Sequence, residues 1–134
     1  MAVLATVAGH HADAGMYSNA AAAGRVQFER YFWNGVLETY AGPDGNALFV
    51  QLYSVLGLAL GLDGGVPVGA ADHRGAALKT LLNDISARGG KHTVGLMGWQ
   101  YLFRVLSNEG QLNTAMQLVT SAELPSLGYM LAGT

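Results

Sequence analysis

The residues from 47 to 62, ALFVQLYSVLGLALGL, form the longest apolar stretch of the chain and decide its fold class. Apolar residues recur in it at steps of three and four, the spacing of one buried face of an α-helix; they are Leu48, Leu52, Val55, Leu56 and Ala59. The stretch is shorter than the roughly 20 residues that a membrane span needs, and it contains Gln51 and Ser54. It therefore predicts a helix buried inside a folded domain, not a membrane protein.

Helical spacing continues on both sides of this stretch. Helices are predicted over Ala20–Trp33, from about Ala70 to Ala87, from Thr93 or Gly95 to Ser107, and after Gly110. Thr93 is a candidate N-cap for the third of these, because its hydroxyl could accept from a free first-turn N–H. The residues expected to face inward are Ala22, Val26, Phe28, Phe32, Leu78, Leu81, Leu82, Ile85, Tyr101, Leu102, Val105, Leu106, Leu112, Ala115, Met116 and Val119.

Turn signals separate the predicted helices. They are Asn34-Gly35, AGPDGN at 41–46, LDGGVPVG at 62–69, Gly89-Gly90 and Gly110. The last is short enough for an αα-hairpin. Since no long stretch alternates as a strand would, the sequence predicts an all-α domain of about five helices in antiparallel hairpins.

Composition excludes several classes of protein. Hydrophobic residues make up 51% of the 134 residues and charged residues 12%, which rules out a disordered chain. The formal net charge is −2 and no basic stripe is present, so we expect no nucleic-acid partner. The absence of cysteine excludes disulfides and thiolate metal sites. The start of the chain lacks the positive region of a signal peptide, and the compartment stays undetermined.

Four segments, in order, resemble the family 78 glycoside hydrolases, the α-L-rhamnosidases. The first, Gly9–Trp33 (GHHADAGMYSNAAAAGRVQFERYFW), is similar to a helix pair of the family, and three more follow along nearly the whole chain. They are Gln51–Leu62 (QLYSVLGLALGL), Leu82–Gly98 (LNDISARGGKHTVGLMG) and Pro125–Met130 (PSLGYM). The chain departs from the family pattern at Leu52, Trp99, Gln100 and Leu127, which leaves the details of a sugar pocket open.

The resemblance implies a partial (α/α)6 barrel, with residues 1–134 as a single partial domain of a six-hairpin glycosidase. It also implies hydrolysis of terminal α-L-rhamnose with inversion, which uses an acid and a base about 6.5–9.5 Å apart. In the family the general acid lies upstream of the matching region, and the base Glu of a Thr-Thr-x-Trp-Glu motif follows it. We therefore expect a fragment that lacks both groups and is inactive alone.

The residues of this chain give no catalytic pair. The nine acidic residues fall mostly at turns or on polar faces, and Asp84, on an apolar helix, is expected to make a structural hydrogen bond to a neighbouring turn. His10-His11 is interpreted as a solvated hairpin turn and His73 as a surface residue at a helix start, so no metal site and no cofactor are predicted. The candidates for sugar contact are Gln51, His92, Thr93, Trp99, Tyr101 and Tyr129.

Three functions stay open at this point. The first is a rhamnosidase-like hydrolase whose partners are the missing remainder of the barrel and a rhamnose-containing glycoside. The second is a non-catalytic helical scaffold or interaction module, suggested by the low surface charge. The third is another six-hairpin enzyme, such as an unsaturated uronyl hydrolase, because one fold can support different chemistries.

The fragment hypothesis predicts that the isolated 134 residues are molten or aggregate. A part of a closed barrel leaves two flanks uncovered, and exposed apolar flanks associate with one another. Sedimentation and thermal unfolding at low concentration check this. A monomer that unfolds sharply and reversibly would contradict it.

Overall fold

A computed structural model describes residues 1–42, 50–60 and 73–132. Seven helices lie in these ranges: α1 Ala2–Val7, α2 His11–Phe32, α3 Gln51–Leu60, α4 His73–Ala87, α5 Gly95–Asn108, α6 Leu112–Thr120 and α7 Leu127–Ala132. Two short strands, β1 Trp33–Asn34 and β2 Thr39–Tyr40, pair antiparallel. The all-α class is confirmed. The predicted turn from Pro43 to Asn46, Leu48, the 62–69 loop and the expected helix start at Ala70 lie outside the described residues.

Helix α3 lies at the centre of the fold. It packs against α2, α4, α5 and β2, and Val55 and Leu58 are fully buried. Burying one such leucine contributes about 1.5–3 kcal/mol. The buried helix predicted from the apolar stretch is thus confirmed over the described part.

The core lies between α3, α4 and α5, with one contribution from α6. Its largest fully buried apolar side chains are Leu58, Leu81, Leu102, Leu106, Leu118, Val55 and Val105. Most of them lie on faces that the three- and four-residue spacing predicts. The αα-hairpin at Gly110 is also confirmed, because α5 ends at Asn108 and α6 begins at Leu112.

The N-terminal region differs from the sequence prediction. The Gly9–Trp33 segment is not a helix pair, because α2 runs unbroken from His11 to Phe32 after a turn at Gly9. A run of alanines favours helix strongly enough to tolerate Gly15, since one glycine costs only about 1 kcal/mol. Of the two histidines, only His10 lies in the predicted turn, because His11 is the first residue of α2.

Two further predictions about packing are wrong. In α6, Leu118 is buried while Leu112 and Met116 are exposed, because among the described elements this helix packs mainly against α5 and α7, which cover only part of its surface. The segment after Asn34 is not a plain loop, because its strand β2 (Thr39–Tyr40) pairs with β1 (Trp33–Asn34). The Asn34 side chain accepts from the backbone N–H groups of the turn between them.

Polar contacts tie α2, β2 and α4 together. The Glu29 carboxylate accepts hydrogen bonds from the Tyr40 hydroxyl and contacts Nδ1 of His73 at 3.2 Å. The His73 ring stacks on Trp33 with 3.7 Å between ring centroids. His73 is therefore not a plain surface residue, because the neighbouring helix and strand cover its ring. Burial, together with the Glu29 carboxylate, raises the pKa of the Tyr40 hydroxyl well above its ordinary value.

Gly57 marks the closest approach of α3 to β2. A Cβ built there would lie 2.4 Å from the ring carbons of Tyr40, a side chain that is itself buried. No side chain fits at this crossing unless the ring moves.

We expect Gly57→Ala to destabilise the protein by about 1–3 kcal/mol, the usual range for overpacking a core. Urea denaturation of the protein that carries this chain measures the change. Gly15→Ala is the matched control, because an added Cβ there meets nothing within 4 Å and helix propensity gains up to about 1 kcal/mol. Equal effects of the two changes would contradict the packing argument.

Candidate functional site

A cavity of about 320 Å³ lies where the chain enters α5. The segment before α5, the first turns of α5 and the residues around the start of α7 form its walls. The lining residues are His92, Thr93, Gly95, Leu96, Trp99, Pro125, Ser126 and Met130. The walls are thus mostly apolar, with a few polar groups, as is typical of small-molecule pockets.

The far wall of the cavity is held in place by Ser126. Its hydroxyl donates to the Ser121 carbonyl and accepts from the backbone N–H of Tyr129 at 3.0 Å. Gly128 allows α7 to press against the end of α6, since a Cβ there would lie 2.6 Å from the Ser121 carbonyl oxygen. This contact brings Pro125 and Met130 to the cavity.

The near wall is held by the amide of Gln51, the first residue of α3. Its Oε1 accepts from the backbone N–H of Thr93 at 2.7 Å, and its Nε2 donates to Asp84 Oδ2 at 2.7 Å. A longer contact, 3.4 Å, joins Nε2 to the carbonyl oxygen of Lys91. Gln51 therefore forms hydrogen bonds with the backbone on both sides of His92 and fixes the position of the His92 backbone.

Asp84 supports this clamp from α4. It accepts from Arg88 Nε at 2.7 Å as well as from Gln51. Burial by itself would raise the pKa of the Asp84 carboxyl, but the hydrogen bonds from Arg88 and Gln51 outweigh it and hold the pKa below its ordinary value. The structural hydrogen bond predicted for Asp84 is present, although its partners are side chains rather than a turn.

His92 and Trp99 carry buried polar atoms without partners. Only 7% of His92 is exposed, and neither ring nitrogen of His92 nor Nε1 of Trp99 has a hydrogen-bond partner among the described residues. Their rings stack with 5.6 Å between centroids. An unsatisfied buried polar group costs about 1–3 kcal/mol, so three together mark a place where a polar ligand would be stabilised.

Burial also decides the protonation state of His92. It lowers the pKa of the imidazole below the ordinary value of 6.5, so the ring is mainly neutral at pH 7. A neutral imidazole presents one donor and one acceptor.

The structure brings together three of the six residues predicted to contact sugar: His92, Thr93 and Trp99. Gln51 lies behind them, fully buried. Tyr101 lines a separate cavity of about 530 Å³ that also contains Arg25 and Arg104. Tyr129 lies on α7, where its side chain is exposed. Sugar contact by these residues stays a prediction.

Thr93 does not cap α5 as the sequence suggested. The N-cap is Val94, without a side-chain cap hydrogen bond, and the Thr93 backbone N–H is held by Gln51 instead. With Thr93 held by Gln51, helix α5 begins at Gly95, one residue later than a Thr93 cap would place it.

Sequence reasoning missed five lining residues. They are Gly95, Leu96, Pro125, Ser126 and Met130. Three of them belong to the PSLGYM segment, from which only Tyr129 was predicted to contact sugar. The segment as a whole was the signal that could have found those three.

None of the described carboxylates lines this cavity. Glu29, Asp84, Glu109 and Glu123 each contact a basic side chain, while Asp13 and Glu38 are exposed. In residues 1–42, 50–60 and 73–132 no cluster of three potential metal ligands is found. Among the same residues, no helix has the length and apolar character needed to cross a membrane.

Fold and cavity together define a helical-hairpin domain with a mostly apolar cavity at the start of one helix. A family model described as the bacterial alpha-L-rhamnosidase 6 hairpin glycosidase domain matches residues 1–133. The chain therefore belongs to this family. No match to the chain is found among curated proteins or among solved structures.

We expect Gln51→Met to destabilise the protein by about 1–3 kcal/mol, because it removes the hydrogen bonds that the fully buried Gln51 amide makes to Thr93 and Asp84. The pKa of Asp84 should rise, since one of its two side-chain donors is lost. Chemical denaturation and carboxyl-resolved NMR titration measure these changes. Gln27→Met is the matched control, as Gln27 is exposed on α2. Equal destabilisation by both changes would contradict the clamp.

Proposed function

We propose that this chain forms part of the catalytic domain of an α-L-rhamnosidase, an inverting glycoside hydrolase that releases terminal α-L-rhamnose. The family match over residues 1–133 carries the proposal. In it, the His92–Trp99 cavity contributes to the sugar-binding surface, and the acid and base come from elsewhere in the complete domain.

The state of the described carboxylates supports this division of roles. Hydrolysis with inversion needs two carboxyl groups facing each other across the scissile bond, with room for water. Glu29 and Asp84 are each held by two protein side chains, and no described acidic residue lines the cavity. Asp44, Asp63 and Asp72 lie outside the described residues.

The open N-terminal helices support a larger assembly. Neither α1 nor α2 contains a buried residue. Three apolar side chains of α1 are largely exposed: Val3 at 75%, Leu4 at 67% and Val7 at 82%. Such a run of exposed apolar side chains is typical of a surface that another element covers. Further helices of the same barrel are the partner that this proposal assigns to it.

The test assays the protein that is produced when this chain is expressed together with the coding sequence on both sides of it. It is expected to release rhamnose from an aryl α-L-rhamnoside with inverted anomeric configuration, as followed by NMR, and to leave an unsaturated uronide intact. The 134 residues alone should release none. Cleavage of the uronide but not the rhamnoside would overturn the proposal in favour of a different six-hairpin enzyme.

A further inference from the structure

The geometry points to His92 and Trp99 as specificity-determining residues that bind the hydroxyl groups of an uncharged sugar ring and disfavour acidic sugars. This inference rests on the proposed function, and it names the ligand chemistry of one cavity. Three buried nitrogen atoms without partners, gathered at a cavity of about 320 Å³, carry it.

The hydrogen-bonding groups match hydroxyls. The indole of Trp99 supplies one donor, and a neutral imidazole supplies one donor and one acceptor. A hydroxyl both donates and accepts, so neighbouring hydroxyls of a sugar can satisfy all three atoms. A carboxylate only accepts and would leave the acceptor nitrogen of His92 unpaired. Burial lowers the pKa of His92, which favours the neutral ring that this pairing needs.

The charge of the cavity points the same way. Among the described lining residues none is acidic or basic. The nearest cation in sequence, Lys91, is engaged with Glu123 at 2.7 Å. An anionic sugar would lose water here without gaining an ion pair, which is unfavourable in an apolar pocket.

The apolar walls fit the remainder of such a ligand. Leu96, Pro125 and Met130 offer aliphatic surface beside the two aromatic rings. The C–H faces of a pyranose, or a methyl group in place of a hydroxymethyl, would remove this surface from water. The volume is at the lower end of the usual 300–1,000 Å³ or so for ligand pockets, which suits one sugar ring.

Gln51 acts as a positioning residue for this site. Its amide holds the backbone at Lys91 and Thr93, on either side of His92. The backbone at His92 is therefore held before a ligand arrives, and little backbone freedom is lost there on binding.

The experiment compares variants of the protein that carries this chain, by aryl α-L-rhamnoside kinetics and by calorimetric binding of methyl α-L-rhamnoside and glucuronate. Trp99→Phe keeps an aromatic ring and removes the N–H, and His92→Leu removes both imidazole nitrogens. Trp99→Phe is expected to raise KM and the rhamnoside Kd about three- to tenfold, the equivalent of one lost neutral hydrogen bond, and His92→Leu about ten- to a hundredfold, the equivalent of two. In both variants kcat should stay within about twofold.

Rescue and control variants separate binding from folding. His92→Gln restores a donor and an acceptor and should recover most of the affinity. His92→Arg adds the cation that the cavity lacks and should shift preference toward glucuronate. Trp33→Phe is the matched control, because Trp33 stacks on His73 away from this cavity, and it should leave both constants unchanged.

The outcomes distinguish this inference from the proposed function. Hydrolysis of the rhamnoside with unchanged KM and Kd in Trp99→Phe and His92→Leu would overturn the inference and leave the function standing. Tight glucuronate binding by the unmodified protein would also overturn it. Selective rhamnoside binding that depends on both residues, without hydrolysis, would support the inference and reject the function.

Discussion

The arrangement of the candidate site depends on the side-chain amide of Gln51. This group sits at the start of the central helix α3, is fully buried, and bonds to α4 through Asp84 and to the segment before α5 through Thr93. A buried amide must find partners for both its oxygen and its nitrogen, and here those partners belong to α4 and to the segment between α4 and α5. One side chain therefore sets the position of His92 relative to the core.

Gln51 and His92 are both buried but differ in whether their polar atoms have hydrogen-bond partners. Gln51 is buried and paired within the protein, whereas His92 is nearly as buried and has no partner among the described residues. The cost of leaving His92 and Trp99 unpaired is compatible with the fold because the surrounding core is well packed. Leu102, Val105 and Leu106 of α5, the helix that carries Trp99, are fully buried. Helix α5 thus holds the Trp99 N–H in place, although that group has no hydrogen-bond partner among the described residues.

Burial is distributed unevenly along the chain, and this bears on how the domain is completed. Helices α3 to α5 provide nearly all of the described core, while α1 and α2 contribute no buried residue. The aromatic rings of Phe28 and Phe32 on α2 still pack against the core. These rings therefore anchor α2, while Met16 and Tyr31 of the same helix are exposed. Under the proposed function, further helices of the barrel would cover such exposed apolar side chains.

The sequence by itself determined the helical class, the burial of α3 and the αα-hairpin at Gly110, because periodicity and turn residues are local properties. The family followed from the resemblance of four segments to it. It also placed His92, Thr93 and Trp99 among the candidates, since all three lie within eight positions of one helix start. It misplaced the start of α2, the inward face of α6 and the cap of α5. Each of these depends on which neighbour covers a surface or binds a backbone group.

Only the tertiary structure decided the roles of the other polar candidates. Gln51 became a clamp because Asp84 and Thr93, 33 and 42 positions away, meet its amide. Tyr101 lines a different cavity from Trp99, because residues two positions apart on α5 lie on nearly opposite faces of the helix. The PSLGYM segment reached the cavity through the contact of Gly128 with the end of α6. Periodicity records which side of a helix is apolar, but the partner of a buried polar atom is set by packing between distant segments.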